Sequence, residues 1–463
     1  MRRIMKKRIN KKIDKKEILE NKIHKIYFVL AVVIGIILSV GMPLFSEPDG
    51  QWHYSVSTNM VHLSNDLSAY GEPVGTGLNV QKSAYQRGNH FEQYFENKIV
   101  KMPIQNIPRT NSIPPVLSSN FLGHLIPAIG VWIGYHIYPS AGVMIVVGRL
   151  FSSIISSFII CLIIKKIQKG KLVVFALSLT PVIAGTLASL TYDTFSYLLA
   201  LLVFLITTNL LVTKQITWKR IASIGIVSVL IVLGAKTNVK LLLLLFPLVL
   251  FILVFEKFKD KRKIHFEFRG RKLWIFSMVI LGFIIIAMGI IFTIKPSLIF
   301  SIYRIIINFS VNLSPSLSMN NIFLGLLASP YPSYNYMPYW VAGAWYVIIL
   351  LSMLVDKYPI SKWVGLGAIA IFFINFLGVY HGFLTFQGGG YAPAPRSVIM
   401  GSIYGQQGRY FTPFLLVLAL ALASSKIRLQ VVSGQAVLWL SAMLAIVSNI
   451  ILLFATLFGI YYL

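Results

Sequence analysis

The chain has 463 residues, of which 56% are hydrophobic and only 12% are charged, and its mean hydropathy is +0.75. Soluble domains are about a quarter charged, so this composition excludes a water-soluble enzyme, a disordered chain and a disulfide scaffold. The net charge of +28 at pH 7 indicates basic cytoplasmic loops and not nucleic-acid binding, because the composition is that of a membrane protein.

Eleven apolar runs recur along the chain, each long enough to cross or nearly cross a bilayer of about 30 Å. They are residues 27–45, 141–164, 172–190, 194–212, 221–235, 241–255, 273–294, 339–355, 363–380, 410–424 and 431–460. We therefore predict an all-α polytopic membrane protein with about 11 transmembrane helices. A basic cytoplasmic tail, residues 1–26, precedes a single membrane domain, residues 27–463.

The basic residues fix the orientation of these spans. If the N-terminal tail is cytoplasmic, the loops after spans two, four, six, eight and ten are cytoplasmic too, and together these segments hold most of the 42 Lys and Arg residues. The same orientation predicts three external loops, residues 46–140, 295–338 and 381–409. The cytoplasmic cations are expected to anchor on anionic membrane lipids.

The run 121–140 is ambiguous, because it is uncharged and long enough to span. Counting it as a span would turn every later basic loop to the outside. We therefore predict a helix at the outer membrane surface, within the large first loop, a reading helped by Pro127, His124 and His136. The alternative is a true span paired with a second one near 301–328.

Two carboxylates and a histidine follow the first span directly: Glu47, Asp49 and His53. At the boundary between apolar span and water, partial desolvation raises a carboxylate pKa toward the range of a general base, and a pair of carboxylates can hold a divalent cation. The alternative is an ordinary interfacial turn in which the Asp caps a helix.

Further charged residues lie at or near the predicted spans. Asp193 is the one acid in an apolar hairpin, which makes it a functional candidate or an N-cap. Arg149, Lys236 and Arg409 would suit an anionic lipid headgroup such as a diphosphate. For Lys236 and its neighbour Lys240, the alternative is snorkelling to the interface.

The third external loop contains a Gly- and Pro-rich stretch, residues 387–396, followed by the sequence Gly-Gln-Gln-Gly-Arg-Tyr-Phe-Thr-Pro at residues 405–413. Long loops of such composition are often substrate lids, so we expect a mobile external segment here. It lacks the Gly-Lys-Ser/Thr ending of a phosphate-binding P-loop.

Together these features resemble the GT-C superfamily of integral-membrane glycosyltransferases: the acidic motif, the large first loop, Arg149 in the second span and a proline-interrupted third span that ends at Asp193. More closely, the chain resembles a bacterial membrane family of unknown function. That family usually carries Pro-Asp-Glu-x-x-His and Gln-Gly-Arg-Tyr-Phe-x-Pro, and this chain has Gly50 in place of the second acid. Either Glu47 substitutes for that acid, or the site works with one carboxylate.

The resemblance implies a glycosyltransferase that moves a sugar from a polyprenyl-phosphate donor to an external acceptor, which could be a wall polymer, a lipid or a protein. It implies that Asp49 is the catalytic base or, with Glu47, a ligand of Mg²⁺ or Mn²⁺, supported by His53 and Asp193. The residues implied to meet the donor phosphate and lipid carrier are Arg409, Lys236, Arg149, Tyr410 and Gln407.

Two other functions predict a similar topology: a flippase or transporter of lipid-linked sugars, and a polysaccharide polymerase. A transporter should place ionisable residues near the membrane midplane and show repeats or broken helices. The expected location is a bacterial plasma membrane, with a cytoplasmic N-terminus and the active site on the outer face.

Overall fold

A computed structural model describes residues 22–63, 117–139, 141–262, 302–307, 322–332, 337–356, 360–386, 406–425 and 432–458, with the single residues 335, 358 and 427. Within these ranges every regular element is a helix. The predicted span 273–294, most of the first external loop and the Gly- and Pro-rich stretch 387–396 lie outside the described residues.

The helices follow one another in this order. They are α1 (Ile23–Gly41), α2 (Gly50–Met60), α3 (Ser119–Ile137), α4 (Ala141–Lys166), α5 (Lys171–Ser178), α6 (Pro181–Leu187), α7 (Asp193–Thr213), α8 (Trp218–Gly234), α9 (Leu245–Arg262), α10 (Tyr339–Val355), α11 (Lys362–Phe386), α12 (Leu415–Ser424) and α13 (Gly434–Phe458). Three 3₁₀ turns, Thr237–Leu244, Gly408–Tyr410 and Thr412–Phe414, and short helical stretches at 302–307 and 322–327 complete the described chain.

Among the residues that the structure describes, six helices are long and apolar enough to cross a membrane: Ile23–Gly41, Gly142–Lys166, Asp193–Thr213, Thr237–Glu256, Lys362–Phe383 and Gly434–Leu457. Each coincides with a predicted span, so the prediction of a polytopic helical membrane protein is confirmed. The predicted count of eleven spans is not confirmed. α10 and the segment Thr412–Ser424 are apolar but shorter, and α8 has 17 residues.

The predicted third span, 172–190, is divided into the short helices α5 and α6, both of them almost wholly buried. The break comes at Thr180-Pro181, because proline has no N–H to continue a helix but is favoured in a first turn. Thr180 caps α6 by accepting a hydrogen bond from Ile183 N at 3.4 Å. The carbonyl of Leu179, freed by the break, accepts one at 3.1 Å from Asn449 Nδ2 of α13.

The run 121–140, for which we predict a helix at the outer membrane surface, forms the helix α3, and Ser118 caps it by accepting a hydrogen bond from Phe121 N at 3.2 Å. α4 begins four residues after the last residue of α3, and the two helices pack closely as a hairpin. Glycines allow this approach: a Cβ on Gly130 would lie 2.8 Å from Gly148 Cα. α3 is therefore one half of a helical hairpin and brings His124 into the protein interior.

Candidate functional site

The turn between α1 and α2 holds the first acidic motif. Asp49 occupies the N-cap position of α2, yet its side chain makes no capping hydrogen bond, so the predicted alternative of an Asp cap does not describe it. Its carboxylate is exposed. Its backbone is left-handed, with φ 56°, a conformation that costs a non-glycine residue free energy. Strained backbone conformations of this kind cluster at functional sites.

Glu47, two residues earlier, turns the other way and forms a buried ion pair with Arg149 of α4, from Arg149 Nη2 to Glu47 Oε2. The same guanidinium donates to the carbonyls of Met42 at 3.0 Å and Pro43 at 3.1 Å. Arg149 is 1% exposed. Its hydrogen bonds therefore tie the chain after α1 to α4. The sequence predicts that Arg149 meets the donor phosphate. In the structure its guanidinium instead contacts Glu47 and two backbone carbonyls.

Gly50 explains why Glu47 fits there. A Cβ on Gly50 would lie 2.9 Å from Phe45 Cα and 3.3 Å from Glu47 Cδ, so the turn has no room for a larger side chain at position 50. The carboxyl group of Glu47 fills the space beside this position. The carboxyl group of Glu47 therefore lies next to position 50, where the resembled family carries its second acid.

Asp193 is the first residue of α7, and Tyr192 takes the N-cap position. The alternative interpretation, in which Asp193 is the N-cap of this helix, therefore does not describe it. Its carboxylate instead binds two cations: Lys236 Nζ lies 3.0 Å from Oδ1, and Arg409 Nε lies 3.4 Å from Oδ2. The side chains of all three residues are less than a quarter exposed. One carboxylate shared by two cations leaves a net positive charge.

Two tyrosine rings flank the cations. Lys236 Nζ lies 4.0 Å from the ring centroid of Tyr410 and 5.1 Å from that of Tyr192, distances at which the ring faces attract a cation. Asn238 Nδ2 donates to the Tyr410 carbonyl at 2.9 Å and holds the 3₁₀ turn in place. Burial favours the neutral amine, but Asp193 and the two tyrosines raise the pKa of Lys236 to about 12.

The glycine-rich motif before α12 delivers Arg409 to this cluster. A Cβ on Gly408 would lie 2.3 Å from Leu326 N, so only glycine allows this backbone to meet the helical stretch 322–327. Arg409 Nη1 points to the Pro330 carbonyl at 3.4 Å. The neighbouring Gln407 has a buried Oε1 with no hydrogen-bond partner among the described residues.

A small cavity opens at the cluster. Its polar wall comprises Asp193, Ser196, Lys236, Asn238, Arg409 and Tyr410, and its apolar wall includes Pro413 and residues of α6. Asp49 belongs to the same electrostatic neighbourhood. Burial lowers the pKa of Arg409, whereas Tyr410, Asp193 and Asp49 raise it, and the net shift is upward.

A histidine pair lies next to this cluster. His53 Nδ1 and His124 Nε2 are 2.7 Å apart, and His124 Nδ1 lies 2.5 Å from the Asn120 carbonyl. Both imidazoles are buried. The ring of His53 also packs on Tyr192 at 5.3 Å between centroids, so a single tyrosine separates the histidines from Lys236.

The predicted metal ligands do not fit a divalent cation. One oxygen of Glu47 is bound by Arg149, whose positive charge would repel a metal ion at the same carboxylate. In the part of the chain that the structure describes, no three His, Cys, Asp or Glu side chains are grouped as a metal site.

The predicted residues thus separate into two groups. Asp193, Lys236, Arg409 and Tyr410 meet in one cluster, with Asp49 and His53 beside it, whereas Glu47 and Arg149 form a separate buried pair. Residues that sequence reasoning missed as part of the site are Ser196, Asn238 and, above all, His124. The polar character of His124 in an apolar run was the available signal.

A family model described as "Predicted membrane protein (DUF2142)" matches residues 32–418, most of the chain and all of the clustered residues. The chain belongs to this family. It is accordingly a predicted multi-pass membrane protein, in agreement with its apolar helices. No curated protein and no solved structure matches the chain.

Proposed function

We propose that the protein is a membrane glycosyltransferase of the GT-C type, which transfers a sugar from a polyprenyl-phosphate donor to an acceptor on the outer face of a bacterial plasma membrane. The observation that carries this proposal is the pair of cations on one carboxylate. Lys236 and Arg409 share Asp193 and line a cavity with apolar walls.

Such a cluster suits a phosphate on a lipid. The cations carry one more positive charge than Asp193 neutralises, and charge-assisted hydrogen bonds to phosphate are strong at sites of low dielectric. As the sugar–phosphate bond breaks, negative charge grows on the phosphate oxygens, and preorganised cations stabilise it. Tyr192 and Tyr410 hold Lys236 in place for this role.

Asp49 supplies the base in this scheme. Its carboxylate is exposed, lies near Arg409 and forms no hydrogen bond with the described residues, so it is free to accept the proton of an attacking hydroxyl. The proton moves from the acceptor hydroxyl to Asp49 while the acceptor oxygen bonds to the sugar and the phosphate departs. Glu47 and Arg149 hold the turn that carries Asp49.

A second candidate is a flippase for lipid-linked sugars. The observation that favours it is the break between α5 and α6, because discontinuous buried helices are common at transporter substrate sites.

One experiment distinguishes the two functions. Purified protein in nanodiscs receives a panel of radiolabelled polyprenyl-phosphate sugars and a crude envelope acceptor fraction, with Asp49→Asn as the control. We expect label transfer that Asp49→Asn abolishes and EDTA leaves unchanged. In proteoliposomes, movement of the labelled lipid between leaflets without transfer would establish the flippase instead. Transfer retained by Asp49→Asn would overturn the role of Asp49.

A further inference from the structure

The buried histidine pair has a defined direction. His124 Nδ1 lies 2.5 Å from the Asn120 carbonyl, and a carbonyl oxygen can only accept, so this nitrogen carries a hydrogen. In a neutral imidazole the other nitrogen, Nε2, then has a lone pair. His124 Nε2 must therefore accept from His53 Nδ1, 2.7 Å away. The hydrogen of His53 is on Nδ1, and His53 Nε2 is a bare acceptor.

Both rings stay neutral near pH 7, as this assignment requires. Burial lowers the pKa of His124 to about 4, although Asn120 and Asp193 act in the opposite direction. Burial, His124 and the cations Arg409 and Lys236 all lower the pKa of His53, well below its usual value. Beside two cations, His53 stays neutral and does not take up a proton near pH 7. Its unprotonated ring nitrogen can still accept a hydrogen bond.

His53 Nε2 has no hydrogen bond within the described part of the chain, so its lone pair is available to a donor that enters the site. The ring contacts both Trp52 and Tyr192, at centroid distances of 4.8 Å and 5.3 Å, while Lys236 lies over the same Tyr192 ring. A donor that reached Nε2 would thus sit one aromatic ring from the cations.

We propose that His53 Nε2 accepts a hydrogen bond from a sugar hydroxyl of the lipid-linked donor, and that His124 is a positioning residue that fixes the tautomer of His53. The hydroxyl assignment rests on the proposed function. A phosphate bound at Lys236 and Arg409 would place the attached sugar near the aromatic side chains of Trp52 and Tyr192. His53 is then a specificity-determining residue, because an analogue that lacks this hydroxyl would leave Nε2 unpaired.

The tautomer is tested without any turnover. The protein is labelled with ¹⁵N-histidine, placed in nanodiscs and examined by solid-state NMR, and its eight histidines are assigned by single substitution. We expect His53 in the Nδ1–H form. His124→Gln, whose amide oxygen can replace Nε2 as acceptor, should keep that form, and His124→Phe should release the mixture typical of a free imidazole. An Nε2–H signal for His53 in the wild type would overturn the tautomer assignment.

The hydroxyl is tested with short-chain polyprenyl-phosphate hexoses and the corresponding deoxy-hexoses, each lacking one hydroxyl. One deoxy donor should lose the change in the His53 Nε2 resonance that the full donor causes, and should be transferred about 10-fold less well. His53→Asn should suffer the same loss with the full donor and no further loss with that deoxy donor. His53→Gln, which keeps an acceptor near Nε2, should recover part of the activity.

The two proposals fail separately. If no donor is transferred but the Nε2 resonance responds to a hydroxyl, the glycosyltransferase is overturned and the sugar contact stands. If transfer occurs and every deoxy donor shifts Nε2 as the full donor does, or penalises wild type and His53→Asn equally, the contact is overturned and the enzyme stands. If neither transfer nor a resonance shift occurs with any donor, both are overturned.

Discussion

Lys236 Nζ lies 3.0 Å from Asp193 Oδ1, although the two residues are 43 positions apart and separated by two helices, α7 and α8. The contact joins the first residue of α7 to the loop after α8. Arg409, from a third part of the chain, approaches the same carboxylate. A candidate anion site is thus assembled from three separate segments, and its properties can be tested one residue at a time.

Asp49 should combine an essential carboxylate with an unfavourable backbone. Asp49→Asn tolerates the left-handed conformation, so we expect normal folding and a loss of transfer of about 10²-fold or more. Asp49→Gly should be equally inactive but more stable by about 1 kcal/mol, because glycine adopts φ 56° freely. Melting temperatures in detergent compare the stability of the variants with that of the wild type. An Asp49→Gly variant less stable than the wild type would show that the backbone strain is absent.

Arg409 should be needed for its planar guanidinium and its charge. Arg409→Gln removes the charge, and we expect the KM for the lipid-linked donor to rise by about 10- to 100-fold. Arg409→Lys keeps the charge but not the two-pronged geometry, so its KM should lie between those of Arg409→Gln and the wild type. Steady-state kinetics decides the question. Equal effects of both substitutions would indicate an arginine that serves structure alone.

Gly408 should tolerate no side chain. The Cβ of Gly408→Ala would meet backbone atoms of residues 325 and 326 at 2.3–2.4 Å, which displaces the turn that carries Arg409. We expect a destabilisation of about 1–3 kcal/mol and a fall in donor affinity. Gly225→Ala is the matched control, because its Cβ would have no neighbour within 4 Å. Circular dichroism melts and donor binding measure both, and similar results for the two variants would contradict the close contact.

The Glu47–Arg149 pair should matter for folding. Arg149→Met leaves a buried carboxylate without its partner, and we expect a loss of about 3–5 kcal/mol. Glu47→Gln should cost less, since its amide oxygen can still accept from the guanidinium. In the double variant Glu47→Leu/Arg149→Met, much of the stability should return. If Arg149→Met folded normally but failed to bind the donor, the arginine would belong to the phosphate site after all.

His124 should make the protein less stable in mild acid. Its folded pKa of about 4 lies below the usual 6.5, so between these values the unfolded chain binds more protons and stability falls as the pH falls. The slope is about 1.4 kcal/mol per pH unit for one such group. Melting temperatures from pH 7.5 to 5 should show a shallower slope for His124→Gln. His136→Gln, on the exposed face of the same helix, should keep the wild-type slope.

The sequence predicts the helical spans well because hydrophobic length is a local property. The runs 27–45, 194–212 and 431–460 all appear as long apolar helices, and Pro181 marks the division of the third span. The shorter runs cannot be classified in this way, since a helix of ten apolar residues and half of a broken span have the same composition. The total of eleven went beyond what local hydropathy resolves.

The site was predicted less evenly, because pairing depends on tertiary structure. Asp193, Lys236 and Arg409 stand out as charges in apolar surroundings, and the structure brings them together. Arg149 stands out for the same reason but faces Glu47. The partnership of His53 with His124 spans 71 residues and depends on the packing of α3, which no local pattern specifies.

The hydrogen bond from Asn449 to the Leu179 carbonyl has a consequence for biosynthesis. The break between α5 and α6 is buried and leaves the Leu179 carbonyl without a partner in its own helix. Among the described residues, only α13 donates a hydrogen bond to this oxygen. Because helices enter the membrane in the order of translation, the Leu179 carbonyl lacks its donor Asn449 until nearly the whole chain has been made.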